Sequence, residues 1–189
     1  MKIIQSNSHD LRPLIDDILA NFRLPRSSVH GPARWARVRL NGMLIVKENG
    51  ADLKVVELFA FLHDSQRFND GADPEHGSRA AEYALSKHGI LFHLEPGQLQ
   101  ALVTACRGHT HERFTNSVTV QTCWDADRLD LFRVGVRPDR YYLGTPAARD
   151  TMLMRAAIAR SCKLLVQDIG DDWDLGKDHD YCPRNDRDS

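Results

Sequence analysis

His63 and Asp64 stand side by side at the end of the apolar run Val55-Val56-Glu57-Leu58-Phe59-Ala60-Phe61-Leu62. A run this apolar must be buried, and it takes an imidazole and a carboxylate in with it. Burying that pair uncompensated costs several kcal/mol, and a bound metal ion is the natural compensator. The same residue types recur beside other half-apolar stretches: Ser28-Val29-His30, Cys106-Arg107-Gly108-His109 and Trp124-Asp125-Ala126-Asp127-Arg128-Leu129-Asp130. Imidazole nitrogen with carboxylate oxygen suits divalent Mn, Fe, Co, Ni or Zn and, less comfortably for the histidines, Mg. No Gly-rich phosphate loop, serine-nucleophile motif or paired Cys-x-x-Cys competes with that chemistry.

In chain order these stretches give His, His-Asp, Asp, with Asp-Ala-Asp-Arg-Leu-Asp as the last element. The string resembles the HD superfamily of metal-dependent phosphohydrolases, from His30 to about Gly135. The resemblance implies that His30, His63, Asp64 and Asp127 hold one metal ion from different helices of a bundle. Asp127 takes the role over Asp125 because the family pattern, Asp-x-Asp-(Lys or Arg)-x-Asp, uses its second acid. Asp125 and Asp130 read equally well as caps or as carboxylates that support the ligands or face solvent.

His76, in Pro74-Glu75-His76-Gly77, and His109 fall where dinuclear members insert further ligands; His111 is a weaker candidate. With His76 and His109 facing inward, Asp64 would bridge two ions about 3.5 to 4 Å apart. Without a metal, His76 would cap its helix and His111 would face solvent. Arg128 matches the family's basic residue after the last ligand and is the first choice for a phosphate contact, with Arg67 the second. Either can instead pair with surface acids. Where some members carry a Glu after the His-Asp pair, this chain has Ser65, Gln66 and Arg67, leaving Asp70, Glu75 and His111 as candidate proton donors.

The expected activity is hydrolysis of a phosphomonoester or phosphodiester in a small metabolite or nucleotide, by water activated on one or two divalent ions. Asp64, Arg128 and Arg67 would be the catalytic residues. Two other readings stay open: a di-iron HD-type oxygenase, and a non-catalytic metal-binding regulatory domain, against which the intact ligand string argues.

Helices must position these residues, because apolar positions recur every three or four residues rather than alternating. Leu11, Leu14, Ile15, Ile18 and Leu19 predict a first helix, ended near Pro25. A second should open at Ser27 or Ser28, carry His30 with Arg34 and Arg37 one and two turns on, so that one arginine approaches the pocket while the other stays in solvent, and stop at Asn49-Gly50. Asp52 should cap the helix that ends in His63-Asp64. Pro74 leads into a helix with His76, closed at Lys87-His88-Gly89, and Pro96-Gly97 opens the one that delivers His109. Val118 to Val134 and Ala147 to Val166 complete the set, although Val118-Thr119-Val120 alone would pass for a strand. Arg137 to Tyr142 reads as a connector or as a substrate-facing loop.

The fold expected is therefore all-α: one HD-type bundle of about six to eight helices over residues 1–170, with a central metal cleft and a polar tail at 171–189. With 189 residues, 42% of them hydrophobic, the chain suits one core rather than two. A net charge of −1 gives no basic field for a nucleic-acid duplex. The partner expected is the small phosphorylated substrate, with monomer and homodimer both open. The scattered cysteines, Cys106, Cys123, Cys162 and Cys182, read as reduced thiols. No run approaches the roughly 20 apolar residues of a membrane span, and a cytoplasmic protein is expected.

Overall fold

The spacing of apolar positions resolves into seven α-helices and two 3-10 turns in the computed structural model, which describes residues 10–162. In chain order the helices are α1 Arg12–Asn21, α2 Pro32–Asn49, α3 Leu53–Leu62, α4 His76–Lys87, α5 Pro96–Gly108, α6 Val118–Arg128 and α7 Thr151–Cys162. The 3-10 turns are Leu131–Val134 and Arg140–Tyr142. Among the described residues the β pairing is a single bridge between His88 and Phe92, so the architecture is all-α. None of the described helices is long and apolar enough to cross a membrane. The expected polar tail and the far end of the last helix lie outside the described residues.

Local chemistry sets most helix ends where the sequence predicts them. Asp52 caps α3 by accepting the Val55 N–H at 3.2 Å. Gly50, at φ +69°, closes α2 in the left-handed conformation that costs glycine least. Val118 to Val120 is helical because Ser117 accepts the Val120 N–H at 3.3 Å and starts α6 there. Asp150 caps α7, accepting from Met152 and Leu153 N–H at 2.9 Å each, so that helix begins at Thr151 rather than Ala147. His88 is half-buried, and its Nε2 accepts the Leu94 N–H at 3.1 Å.

The start of α2 differs in a way that matters for chemistry. Gly31 precedes the helix and Pro32 opens it, since a proline has no N–H to leave unpaired in a first turn. Ser28 acts upstream, where its Oγ accepts the His30 N–H at 3.0 Å and turns the chain. His30 therefore lies in the approach to α2, off the helix that carries Arg34 and Arg37.

α3 is the axis of the bundle. Val55, Val56, Leu58, Phe59, Ala60, Phe61 and Leu62 are all buried, as a ten-residue helix whose only charged side chains are Lys54 and Glu57 requires. It packs against α2, α5 and α6 and touches α1 and α4, with Trp35, Leu102 and Leu129 completing the core. Its last turn consequently opens into the middle of the molecule.

Two glycines permit the closest helix approaches. A Cβ on Gly42 would meet Val56 Cγ1 at 2.4 Å, and one on Gly77 would meet Cys106 O at 2.5 Å and His109 Cε1 at 3.2 Å. Gly77 thus lets α4 close on α5 one residue after His76. Gly77→Ala should push the helices apart and destabilise the protein by about 1 to 3 kcal/mol, read as a lower urea midpoint. Gly97→Ala, at a position with nothing within 4 Å of the new Cβ, is the control and should hold or raise the midpoint.

Candidate metal centre

Three imidazoles converge at the open end of α3, each fixed by its own backbone. His63 Nδ1 lies 3.0 Å from Ala60 O and 3.1 Å from Phe59 O. His76 Nδ1 lies 2.5 Å from Asp73 O, and His109 Nδ1 lies 2.7 Å from Cys106 O. A carbonyl only accepts, so each Nδ1 carries the proton and each Nε2 is left with a lone pair. Those Nε2 atoms face the Asp64 carboxylate.

Asp64 is fully buried and divides its two oxygens between two groups of donors. Oδ1 faces His76 Nε2 at 3.2 Å and His109 Nε2 at 3.9 Å, with Arg67 Nη1 at 3.6 Å. Oδ2 faces Arg34 Nη1 at 2.5 Å, His30 Nδ1 at 2.9 Å and His63 Nε2 at 3.5 Å. Asp127 adds Oδ1 at 3.6 Å from His63 Nε2 and pairs with Arg34 Nη2.

The Oδ1 side has the character of an ion site. His76 Nε2 and His109 Nε2 are 2.8 Å apart, so two lone pairs oppose each other beside a carboxylate oxygen, with Arg67 Nη1 3.2 Å from the first. Two nitrogens about 2.1 Å from one ion and at right angles would be separated by about 3 Å. Asp64 Oδ1 is also buried without a hydrogen bond, a cost that a cation on this side removes, and His63 Nε2, on the Oδ2 side, is likewise without one. Asp64, His76 and His109 form a buried group that can hold a metal ion. No protein-family model, curated protein or solved structure matches the chain. The chemistry of the site itself carries the functional reading.

Charge around the cluster is biased toward metal binding. Burial drives the His63 imidazole down to about 3 and lowers His109 and His30 as well, so all three imidazoles are neutral at physiological pH. For Asp64 and Asp127, burial favours the protonated acid, but the charge of Arg34, the leading influence against it, holds both below the usual carboxylate range. Arg34 is likewise penalised by burial, and the two carboxylates more than compensate, holding it firmly protonated.

A cleft of about 680 Å³ opens over the cluster and brings His30, Asp64, His76, His109 and Asp127 to one wall system, with Arg67 and Arg128. His63 lies behind it, fully buried. Arg67 donates to Asn69 O and Gly71 O, and its Nη1 sits 3.2 Å from both ring nitrogens of His76. Arg128 gives its hydrogen bonds to the carbonyls of Glu112, Arg113 and Tyr142, and its contact with Asp125 is a long ion pair of 4.0 Å. Asp70 and His111 are exposed at the rim; Asp70 accepts from Ser28 Oγ and His111 Nε2 lies 3.4 Å from Pro74 O. Glu75 precedes α4 and does not line the cleft.

Asp125 turns away from the cluster and anchors a loop, accepting from Gly144 N at 2.9 Å and from Thr145 N and Oγ1 at 2.7 Å. Asp130 binds Arg37 through both oxygens, at 2.6 and 3.1 Å. The expectation that one of Arg34 and Arg37 stays in solvent is therefore corrected: both are paired with acids. Arg133 was not legible as a site residue. It lines the cleft, almost fully buried, and donates to Val29 O and Asp130 O. The one sequence signal for it is its place three residues after Asp130, a spacing that puts both on one side of a turn.

The depressed imidazoles predict a pH dependence with a definite sign. Between the ordinary histidine value of 6.5 and about 3, the unfolded chain binds protons that folded His63 refuses, so stability rises with pH across that window. The urea midpoint of metal-free protein should be flat above pH 7 and fall steadily below about 6.5. A midpoint unchanged down to pH 5 would show that the histidines are not held neutral.

Proposed function

We propose that the protein is a metal-dependent phosphohydrolase that cleaves a phosphomonoester or phosphodiester bond in a small metabolite or nucleotide. One observation carries the reading: the Asp64-His76-His109 group opens into a cleft that Arg67, Arg128 and Arg133 also line, the shortest hydrogen bond of each of the three going to a backbone carbonyl. None of the three donates a hydrogen bond to a carboxylate, although Arg67 Nη1 lies 3.6 Å from Asp64 Oδ1, so their charge is available to an anionic guest. Arg133 also lies 3.7 Å from Asp130, but that carboxylate is already spent on Arg37. Burial lowers Arg133 to about 10, which leaves it charged at neutral pH.

When bound, a divalent ion supplies Lewis acidity and acidifies a water toward neutrality. Asp64, His76 and His109 hold it, with the Nδ1 locks keeping the imidazoles neutral and aimed. Arg67 is placed to hold nonbridging phosphoryl oxygens beside His76. Arg128 and Arg133 take the remaining charge from across the cleft. Asp70 and His111 at the rim are the groups placed to deliver a proton to a leaving oxygen. The cleft has the volume of a small-molecule site rather than of a duplex groove.

A second reading, a di-iron oxygenase, has one feature in its favour: Asp64 presents an oxygen to each of two groups of donors. Metal analysis and an anaerobic assay separate the two. Phosphate release from a panel of phosphomonoesters, nucleotides and cyclic diesters, without dioxygen and dependent on added Mn or another divalent ion, is the expected result. Tightly held iron with no hydrolysis would favour the oxygenase.

Asp64→Asn and His109→Ala should abolish both metal retention and turnover. Arg133→Met should leave the metal content unchanged and lower kcat/KM by roughly 10- to 100-fold, the loss of one charge-assisted hydrogen bond to the phosphoryl group. Equal activity in Arg133→Met and wild type would remove that arginine from substrate binding.

A further inference from the structure

The Oδ2 side of Asp64 has a different occupant. His30 Nδ1, Asp64 Oδ2, Asp127 Oδ1 and His63 Nε2 have the chemistry of a second ion site, and Arg34 stands among them. Its Nη1 is 2.5 Å from Asp64 Oδ2 and 2.7 Å from His30 Nδ1, while Nη2 pairs with Asp127. We infer that Arg34 is a built-in cation that takes the place of a second metal ion, so that the protein carries one ion, on Asp64, His76 and His109. The inference rests on the metal-binding reading above and sets the nuclearity of that site.

Three features argue that the guanidinium does not yield to an ion. An arginine cannot lose its proton to make room, as a histidine or lysine could. Its backbone is pinned at the start of α2, where the next residue, Trp35, donates Nε1–H to His30 O at 2.8 Å and buries its ring completely. Asp130, the further acid whose charge reaches it, already holds Arg37 through both oxygens. An ion on the Oδ2 side would have to take the lone pairs Arg34 uses and sit against its positive charge in a dry interior.

The arrangement also gives Arg34 a task. It neutralises Asp127, which would otherwise be a second buried carboxylate close to Asp64, and it leaves Oδ1 as the oxygen available to a metal. Asp64 is then shared between a fixed cation and an exchangeable one.

Metal content per chain tests this directly, after saturation with Mn(II) or Zn(II), desalting and elemental analysis. Wild type should retain one ion and His109→Ala none. Arg34→Lys, which keeps the charge, should also retain one. Arg34→Met should retain two, and its Mn(II) form should show the exchange-coupled electron paramagnetic resonance of a pair about 3.5 to 4 Å apart. Far-ultraviolet circular dichroism confirms folding of each variant, and the wild-type count stands even where Arg34→Met fails to fold.

Two ions in wild type would overturn the inference while leaving the metal reading intact, as would one ion that survives His109→Ala. A single ion in folded Arg34→Met would show that something other than the guanidinium limits the count. No ion in folded wild type would overturn both readings.

Discussion

The buried carboxylate of Asp64 is the interaction on which the rest of the structure depends. A carboxylate with no exposed surface, at the end of the most apolar of the described helices, is tolerated only if charge and hydrogen bonds are brought to it from elsewhere. α2 brings Arg34, the approach to α2 brings His30, α4 brings His76, and the residue after α5 is His109. The packing of the bundle around α3 and the solvation of one anion are therefore the same problem. Removing the carboxylate while keeping Arg34 would leave a buried cation short of one of its two acids.

Arginines distribute that constraint across the α2 side of the molecule. Arg34 links α2 to Asp127 on α6, and Arg37, further along α2, links it to Asp130 just beyond α6. Arg133 returns from the following 3-10 turn to Val29 O, ahead of α2. Three guanidinium groups thus stitch the two ends of a long sequence interval together, in an interior dry enough for each pairing to matter more than at a surface. One face of the cleft is rigid as a consequence, and the side chains that bind there are presented with little freedom to lose.

Much of this was legible in the sequence because it is local. Helix periodicity, the Asp52 cap, the Gly50 stop and the proline starts depend on residues a few positions apart, and so does the delivery of His63, His76 and His109 to helix ends. What stayed hidden is tertiary. Ser28 looked like a helix cap, yet Pro32 sets the start of α2, which takes His30 off the helix. Arg34 finds Asp127 across 93 residues, and no spacing rule announces that a cation lies where a ligand set was expected. Arg128, the basic residue of the motif, spends its donors on three carbonyls whose positions only the folded loops define.

The three Nδ1 locks share a pattern: His63 bonds Ala60 O, His76 bonds Asp73 O and His109 bonds Cys106 O, in each case the carbonyl three residues earlier. Tautomer and ring direction are therefore written into single turns of chain, whereas the spacing between rings is written into helix packing. The two can vary independently. Substitutions in the core can slide one helix against another, and so retune the size of ion the site prefers, without ever turning a nitrogen the wrong way round.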